Sequence, residues 1–290
     1  MKETRGEKIF YICNNIGLIL LTCLIMYPII YVISASFSAG DSIKAGRVVL
    51  LPVNFDLTAY KFVFTDSTLW TAYLNSFFYT IFGAGLSMVL TIMGAYTLSK
   101  PDLPGKKFIN IMITVTMWFG AGLIPTYLNM RDLHLLDTRW AILLHGTVSA
   151  YNMILLKNFF NSVPKSLEEA CEIDGASQFQ ILTKVYLPLS KASIATITLF
   201  YAVGRWNEYM WPMIVINSDS MIPLQVVVKK IIVDLKETVD TTQDVSMMQS
   251  LSNEGVIYAT IVISSVPMLL LYPFIQKYFV KGVMIGAVKG

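Results

Sequence analysis

Long apolar runs dominate this chain and leave it little freedom in how it can fold. An α-helix rises 1.5 Å per residue, so about 20 mainly apolar residues are needed to cross the hydrocarbon layer of a bilayer. About six stretches meet that requirement, running roughly over Ile12–Phe37, Tyr73–Leu98, Phe108–Met130, Ala141–Phe159, Ala192–Ile216 and Val256–Phe279. With no water to satisfy backbone groups inside lipid, each stretch is expected to be helical. The 290 residues are 55% hydrophobic and 14% charged, with mean hydropathy +0.59. Those values do not suit a soluble domain with a charged surface. The expectation is an all-α integral membrane protein with six transmembrane helices in a single domain covering 1–290.

Charge sets the orientation and excludes other classes. The net charge is +3 and the basic residues are scattered, so there is no nucleic-acid footprint. Cys13, Cys23 and Cys171 lack metal-ligand spacing and do not form a disulfide framework. No metal site and no catalytic residue is expected. The N-terminal MKETRGEKIF precedes an apolar run too long for a signal-peptide core, without a small-residue cleavage site, so an uncleaved first span is expected. Placing the N-terminus inside puts Lys2, Lys100, Lys106, Lys165, Lys184 and Lys277 among the cytoplasmic cations. The outer segments, with Lys44, Arg47, Arg131, Arg139 and Lys229 among theirs, are longer yet hold fewer, as the positive-inside rule expects. Both termini then face the cytoplasm of a multi-pass protein in the cytoplasmic membrane.

One polar island interrupts the apolar pattern, Pro164–Pro188, with the sequence PKSLEEACEIDGASQFQILTKVYLP. Ser166 with Glu169, and Ser177 with Gln180, have the spacing of capping boxes at two helix starts. Gly175 stands where the first helix should end, because glycine takes the left-handed conformation freely. Pro188 is expected to close the second helix. The small residues Ala170 and Cys171 leave room for a partner to approach.

Glu169-Ala170-Cys171, three spacers, Gly175, nine spacers, Val185, one spacer and Leu187-Pro188 together resemble the EAA loop of ABC importer permeases. Cys171 replaces the second alanine of that pattern and Val185 its isoleucine. EEACEIDGAS is similar to the carbohydrate branch, within which the KGVMIG-type tail resembles polysaccharide and oligosaccharide permeases. The resemblance implies a type I importer permease whose loop 164–188 couples to a cytoplasmic ATPase. Its coupling residues would be Glu168, Glu169, Ala170, Cys171, Asp174, Gly175, Ala176, Leu187 and Pro188. Glu169 would orient the first coupling helix and pair with a basic ATPase residue, Ala170 and Cys171 would pack into the ATPase cleft, and Gly175 would set the angle between the helices. The implied partners are a second permease subunit, an ABC ATPase dimer that uses ATP and Mg, an extracytoplasmic solute-binding protein, an oligosaccharide and the bilayer. This chain itself would bind no cofactor.

Candidate pathway residues are spread over the apolar segments. Gly83, Gly85 and Gly94 in the second segment suit close helix packing. In the third, Gly120, Gly122 and Pro125 interrupt the helix, marking either a pathway or a packing kink. The fifth holds Arg205, Trp206, Asn207, Glu208, Tyr209 and Trp211. Arg205 and Glu208 share a helix face and can pair, and paired charges within a span face an interior or a wet cavity. The aromatic rings suit stacking against sugar rings, and Asn207 and Glu208 suit hydroxyl groups. An interfacial aromatic belt with one structural ion pair fits the same residues. His134 and His145 receive no chemical role, and Tyr151 and Asn152 either line a polar interior or bond to a neighbouring helix.

The outer segment 38–69 reads as a loop packed over helix ends, with direct substrate contact as the alternative. The outer segment Asn217–Gly255 is long enough to reach a binding protein; in maltose-type importers the matching loop inserts into that protein. An exposed connector fits equally. The tail 280–290 approaches the ATPase by family resemblance, or anchors to lipid head groups. The chain lacks a Gly-x₄-Gly-Lys-Ser/Thr loop for nucleotide phosphates, so ATP hydrolysis is expected on a separate subunit. Two rivals remain: an ABC importer permease for a non-sugar solute, and a membrane enzyme centred on Arg205, Glu208 and His145. The second lacks a nucleophile–base pair, paired aspartates or a metal motif.

Overall fold

The computed structural model describes residues 5–241 and 253–287, and its regular elements are helical apart from one β-bridge between Ser38 and Phe55. Part of the expected binding-protein segment, 242–252, and the last tail residues, 288–290, lie outside the described residues, as do 1–4. The chain falls into two compact units, one drawn from Met1–Leu69 and Val228–Val266, the other from Trp70–Val227 and Pro267–Gly290.

In the first unit, α1 (Arg5–Ser36) is long and apolar enough to cross a membrane, and its apolar window is not buried by the rest of the described chain. Serines tie down its end. Ser34 Oγ donates to the Leu50 carbonyl at 2.7 Å, and Ser38 Oγ donates to the Ser34 carbonyl at 2.7 Å while accepting from the Val53 N–H at 3.0 Å. After α2 (Gly40–Lys44), the extended segment therefore lies across the helix end, with Ile43 and Val48 buried beside Ala35. That arrangement is the packed loop expected from its half-apolar pattern. The short α3 (Thr58–Thr65) follows.

The second unit is built on α4 (Ser67–Ser99), most of which it contains. A Cβ on Gly94 would lie 2.7 Å from Met153 Cε, and one on Gly83 would lie 3.1 Å from Arg205 Nε. Both glycines thus admit a neighbouring side chain. No described atom lies within 4 Å of such a Cβ on Gly85.

Three of the expected single helices are broken. The third segment is α5 (Lys106–Trp118) and α6 (Leu123–Asp132), which meet at 113°. Gly122 at φ +82° sets that corner, and Pro125 falls in the first turn of α6, where a missing N–H removes no helical bond. The fourth is α7 (Arg139–Leu144) and α8 (Ala150–Asn161). Between them Gly146 has φ +58°, and Ser149 Oγ caps α8 by accepting from the Asn152 N–H at 3.3 Å. The 12 residues of α8 reach only about 18 Å, short of the roughly 30 Å hydrocarbon core.

The polar island forms α9 (Lys165–Ile173), α10 (Gln178–Ile181), a π-helical turn over Leu182–Tyr186, and α11 (Leu187–Leu189). The rod 178–189 then bends by 85° into α12 (Lys191–Asn207). The fifth segment also breaks, at Glu208–Tyr209, before α13 (Met210–Val215). Last come α14 (Leu224–Thr241) and α15 (Asn253–Ala287).

Among the described residues, three helices are long and apolar enough to cross a membrane, or up to five spans if each bent pair is one. The core of the second unit includes Met88, Ala95, Leu156, Phe160, Ile181 and Ile197. Ile181 belongs to the polar island, so the island shares a core with α4, α8 and α12.

Candidate functional site

The island holds its shape through local bonds that its sequence dictates. Lys165–Ile173 is amphipathic and ends in a Schellman turn. The Ala176 N–H donates to the Cys171 carbonyl at 2.9 Å and the Gly175 N–H to the Glu172 carbonyl at 3.0 Å, with Gly175 at φ +77°. The next helix opens with a complete capping box. Ser177 Oγ accepts from the Gln180 N–H at 3.3 Å, and Gln180 Oε1 accepts from the Ser177 N–H at 2.8 Å. The other expected box does not form. The helix starts one residue before Ser166, with Pro164 as N-cap and no side-chain cap bond, since the proline ring carries no acceptor.

Pro188 does not stop the second helix. Proline offers no N–H to continue an i→i−4 ladder, and the chain shifts register just before it, the Leu187 N–H donating to the Leu182 carbonyl five residues back. The helical rod then runs on to Leu189.

The coupling candidates separate into an outward and an inward set. Glu169, Ala170, Asp174 and Gly175 are exposed, as is Pro188. Cys171, Ala176 and Leu187 pack in part against the core, which leaves Ala170 freer than Cys171 to meet a partner. Glu168 turns inward. Its carboxylate is bonded by Lys100 Nζ and accepts from Tyr186 Oη at 2.6 Å. Burial acts to raise the Glu168 pKa, but these two bonds and the Lys100 charge outweigh it and hold the group below its ordinary value. Burial and the bond to Glu168 push the Tyr186 hydroxyl up, which keeps it a donor.

The sequence reading missed the island's most prominent apolar groups. Ile173 is 86% exposed and Phe179 73% exposed, on either side of the Gly175 turn. A hollow of about 270 Å³ lies between the two helices, lined by Cys171, Asp174, Ala176, Gln180 and Lys184. The signal was present as two bulky apolar residues in the otherwise polar or small stretch 172–180.

The fifth-segment cluster is arranged differently. Arg205 Nη1 lies 3.2 Å from Glu208 Oε2, the expected pair, yet the guanidinium also donates to the carbonyls of Ile142, Leu143 and His145 at 2.9, 3.2 and 2.6 Å. It thereby satisfies the open carbonyl end of α7. Trp206 is 2% exposed, its ring against Tyr73 and Phe77. Trp211 is 4% exposed, donates from Nε1 to the Ala141 carbonyl at 2.9 Å, and stacks on His145 at 4.1 Å. Both indoles are thus enclosed by protein in this conformation. Asn207 donates to the Val203 carbonyl of its own helix at 2.9 Å, and Tyr209 is partly open.

Glu208 lines a cavity of about 410 Å³ together with His145, Ser149, Asn152, Tyr201 and Arg205. Tyr201 Oη links Thr91 Oγ1 at 2.7 Å to the Ser149 N–H at 3.1 Å. Gly120, Gly122 and Pro125 sit on an open face, away from that lining.

Residues 2–285 match the family model described as the inner membrane component of binding-protein-dependent transport systems. The chain belongs to this family. It is 39% identical, over the full length of both chains, to the polygalacturonan/rhamnogalacturonan transport system permease protein YtcP of Bacillus subtilis. Against the arabinooligosaccharides transport permease AraQ of Halalkalibacterium halodurans the identity is 26%, over 95% of each chain. The fold matches a chain of a bacterial ABC transporter involved in the import of the acidic polysaccharide alginate, with TM-score 0.87 and 44% identity, over 96% of this chain and 99% of that one.

This permease is accordingly a multi-pass inner-membrane transport component that works with a binding protein. The island presents a glycine turn flanked by the exposed apolar side chains of Ile173 and Phe179.

Proposed function

We propose that this permease forms one half of the membrane pathway of an ATP-driven importer for oligosaccharides of acidic, uronate-containing polysaccharides. The observation that carries the docking role is the turn at Gly175 flanked by exposed Ile173 and Phe179. The substrate class is supported by the likeness to permeases for polygalacturonan/rhamnogalacturonan and alginate.

In this reading the domain 1–290 crosses the bilayer six times, with α7 and α8 together making the fourth crossing. Both termini and the island face the cytoplasm. A second permease completes the pathway and an ATPase dimer supplies the work of ATP hydrolysis with Mg. A loaded binding protein docks outside, ATP closes the ATPase dimer, and closure carries the island inward to switch the side that the cavity faces. Exposed Glu169 pairs with a basic ATPase residue. Glu208, with Ser149 and Asn152 beside it, meets sugar hydroxyls in the cavity, while Arg205 holds the α7 end in place.

The test is ATP hydrolysis by the complex reconstituted with its partner permease, ATPase and binding protein. Oligogalacturonides, alginate oligosaccharides, arabino-oligosaccharides and glycerol 3-phosphate would be supplied in turn. Stimulation by a uronate oligosaccharide is expected. Stimulation by a neutral sugar or by glycerol 3-phosphate alone would overturn the substrate class, and failure to recruit an ATPase would overturn the importer reading.

A further inference from the structure

The cytoplasmic end of α4 and the two island helices meet at a compact polar and aromatic junction. Lys100, one residue past the end of α4, bonds the Glu168 carboxylate of α9. Its ammonium also lies 4.1 Å from the ring centroid of Tyr96 and 5.2 Å from that of Tyr186. The same carboxylate accepts from Tyr186 Oη at 2.6 Å. Tyr96 and Tyr186 meet edge to face at 5.1 Å, and Phe160 of α8 closes the cluster at 5.5 Å from Tyr186. On the other side, Tyr96 Oη donates to Gln178 Oε1 at 2.7 Å, and Gln178 Nε2 donates to Glu172 Oε1 at 2.9 Å. Lys106 Nζ donates to the Lys100 carbonyl at 2.6 Å, fixing the turn that carries Lys100.

This junction is more than a surface ion pair. The Lys100 and Glu168 side chains are only 20% and 15% exposed, so water screens them less than an open pair. The charge is held between a carboxylate and two aromatic faces, each of which attracts a cation. The bonds are also strategically placed. Glu168 stands two turns before Gly175, Gln178 opens the helix after it, and Tyr186 sits in the π turn. One lysine on the α4 end thus gathers both arms of the island.

We propose that Lys100, with Glu168, Tyr186 and Tyr96, is a strut that transmits displacement of the island to α4. Lys100 is a positioning residue for coupling: it carries motion between the docking element and a membrane helix rather than touching ATPase or substrate. This inference rests on the docking role proposed for the island. A loop attached only through apolar packing could slide against α4. Directional bonds to both of its arms make the island and the α4 end move together.

The test uses the whole reconstituted complex in proteoliposomes and reads three quantities: ATPase retention, ATP hydrolysis, and oligosaccharide imported per ATP. Lys100→Met keeps the aliphatic stem and removes the charge. It should leave ATPase retention and basal hydrolysis as in wild type and lower import per ATP by about tenfold, within the roughly 5- to 150-fold range usual for coupling between sites. Lys100→Arg should restore most of the import, since a guanidinium also pairs with carboxylate and stacks on tyrosine. Glu168→Gln should lower import too, and the double variant Lys100→Met/Glu168→Gln should fall no further than the worse single variant. Import per ATP at the wild-type value in Lys100→Met would overturn the strut. So would losses that multiply in the double variant, or a Lys100→Met complex that sheds its ATPase. Ile173→Asp separates the two layers: if it releases the ATPase while Lys100→Met behaves as wild type, only the strut fails. If it leaves the ATPase bound and import unchanged, the docking role fails and the strut with it.

Discussion

Replacing Gly175 with valine isolates the contribution of a single backbone conformation. The glycine has φ +77°, and no described atom lies within 4 Å of a Cβ built on it. Steric collision with the rest of the chain therefore adds nothing, and the effect is confined to the residue's own backbone. A residue with a Cβ costs about 1–2 kcal/mol in the left-handed region, and β-branching puts valine at the top of that range or above. Since 1.4 kcal/mol is a factor of ten, the turn should lose roughly 5- to 30-fold in population against competing conformations. The two Schellman bonds, from Gly175 to Glu172 and from Ala176 to Cys171, would be lost with it. Ile173 and Phe179 would then no longer be presented together. Uptake measured in cells or proteoliposomes should fall by at least that factor, with membrane insertion unchanged. Gly175→Asn is the control, because asparagine visits this conformation readily. It should keep most of the uptake. Normal transport by the valine variant would refute the argument, as would an asparagine variant as defective as valine, which would mean that a partner's close approach, not φ, requires glycine there.

Three further outcomes follow from the geometry. Burying an isoleucine side chain contributes roughly 1.5–3 kcal/mol, so Ile173→Ala should weaken ATPase binding to the complex in nanodiscs by about tenfold; unchanged affinity would remove Ile173 from the docking surface. Arg205→Met removes the guanidinium from the Ile142, Leu143 and His145 carbonyls, of which Leu143 keeps a bond from Thr147 Oγ1, and from Glu208, and breaking such a buried arrangement costs about 3–5 kcal/mol; a thermal unfolding midpoint equal to wild type in detergent would refute its capping role. Glu168 has a pKa lowered from its ordinary 4.5, so its contribution to stability is fully present above that value and is lost only as pH falls through the lower, folded one. Stability measured from pH 8 to 5 should show no step from this group, and Glu168→Gln should flatten only the acid limb below the ordinary carboxylate value of 4.5. A Glu168-dependent step near neutrality would contradict the strut geometry.

The membrane class, the island and its glycine turn were legible because each depends on local rules. Apolar run length, a Ser–Gln capping spacing and a glycine before a second helix start act within a few residues. The broken helices were less visible. Gly146 and Ser149 in the fourth segment, read together as a left-handed residue followed by an N-cap, would have signalled the break that apolar run length concealed. Lys100 and Tyr186 were not legible at all as a pair. They are separated by 86 positions along the chain, and only the packing of α4 against the island brings both onto Glu168.

Arg205 shows why a charged residue within an apolar segment is an ambiguous signal even when its pairing is foreseen. Insertion scales charge such a residue about 2.5–3.5 kcal/mol, a penalty that ligand contact, a wet cavity or internal hydrogen bonds can each offset. The i,i+3 spacing to Glu208 speaks only to one acceptor. The other three are carbonyls some 60 residues earlier, free to accept because α7 ends beside Gly146 instead of continuing as a helix. The broken helix and the buried arginine thus explain one another: without the break the carbonyls would be occupied, and without the arginine those of Ile142 and His145 would lose this donor in an apolar setting, while Leu143 would keep Thr147 Oγ1. A guanidinium committed to three carbonyls and one carboxylate has little left for a substrate's carboxylate. Under the function proposed above, Glu208, which lines the cavity with Ser149 and Asn152, is the fifth-segment group we assign to a sugar, and Arg205 is the group that holds Glu208 and the α7 end in register.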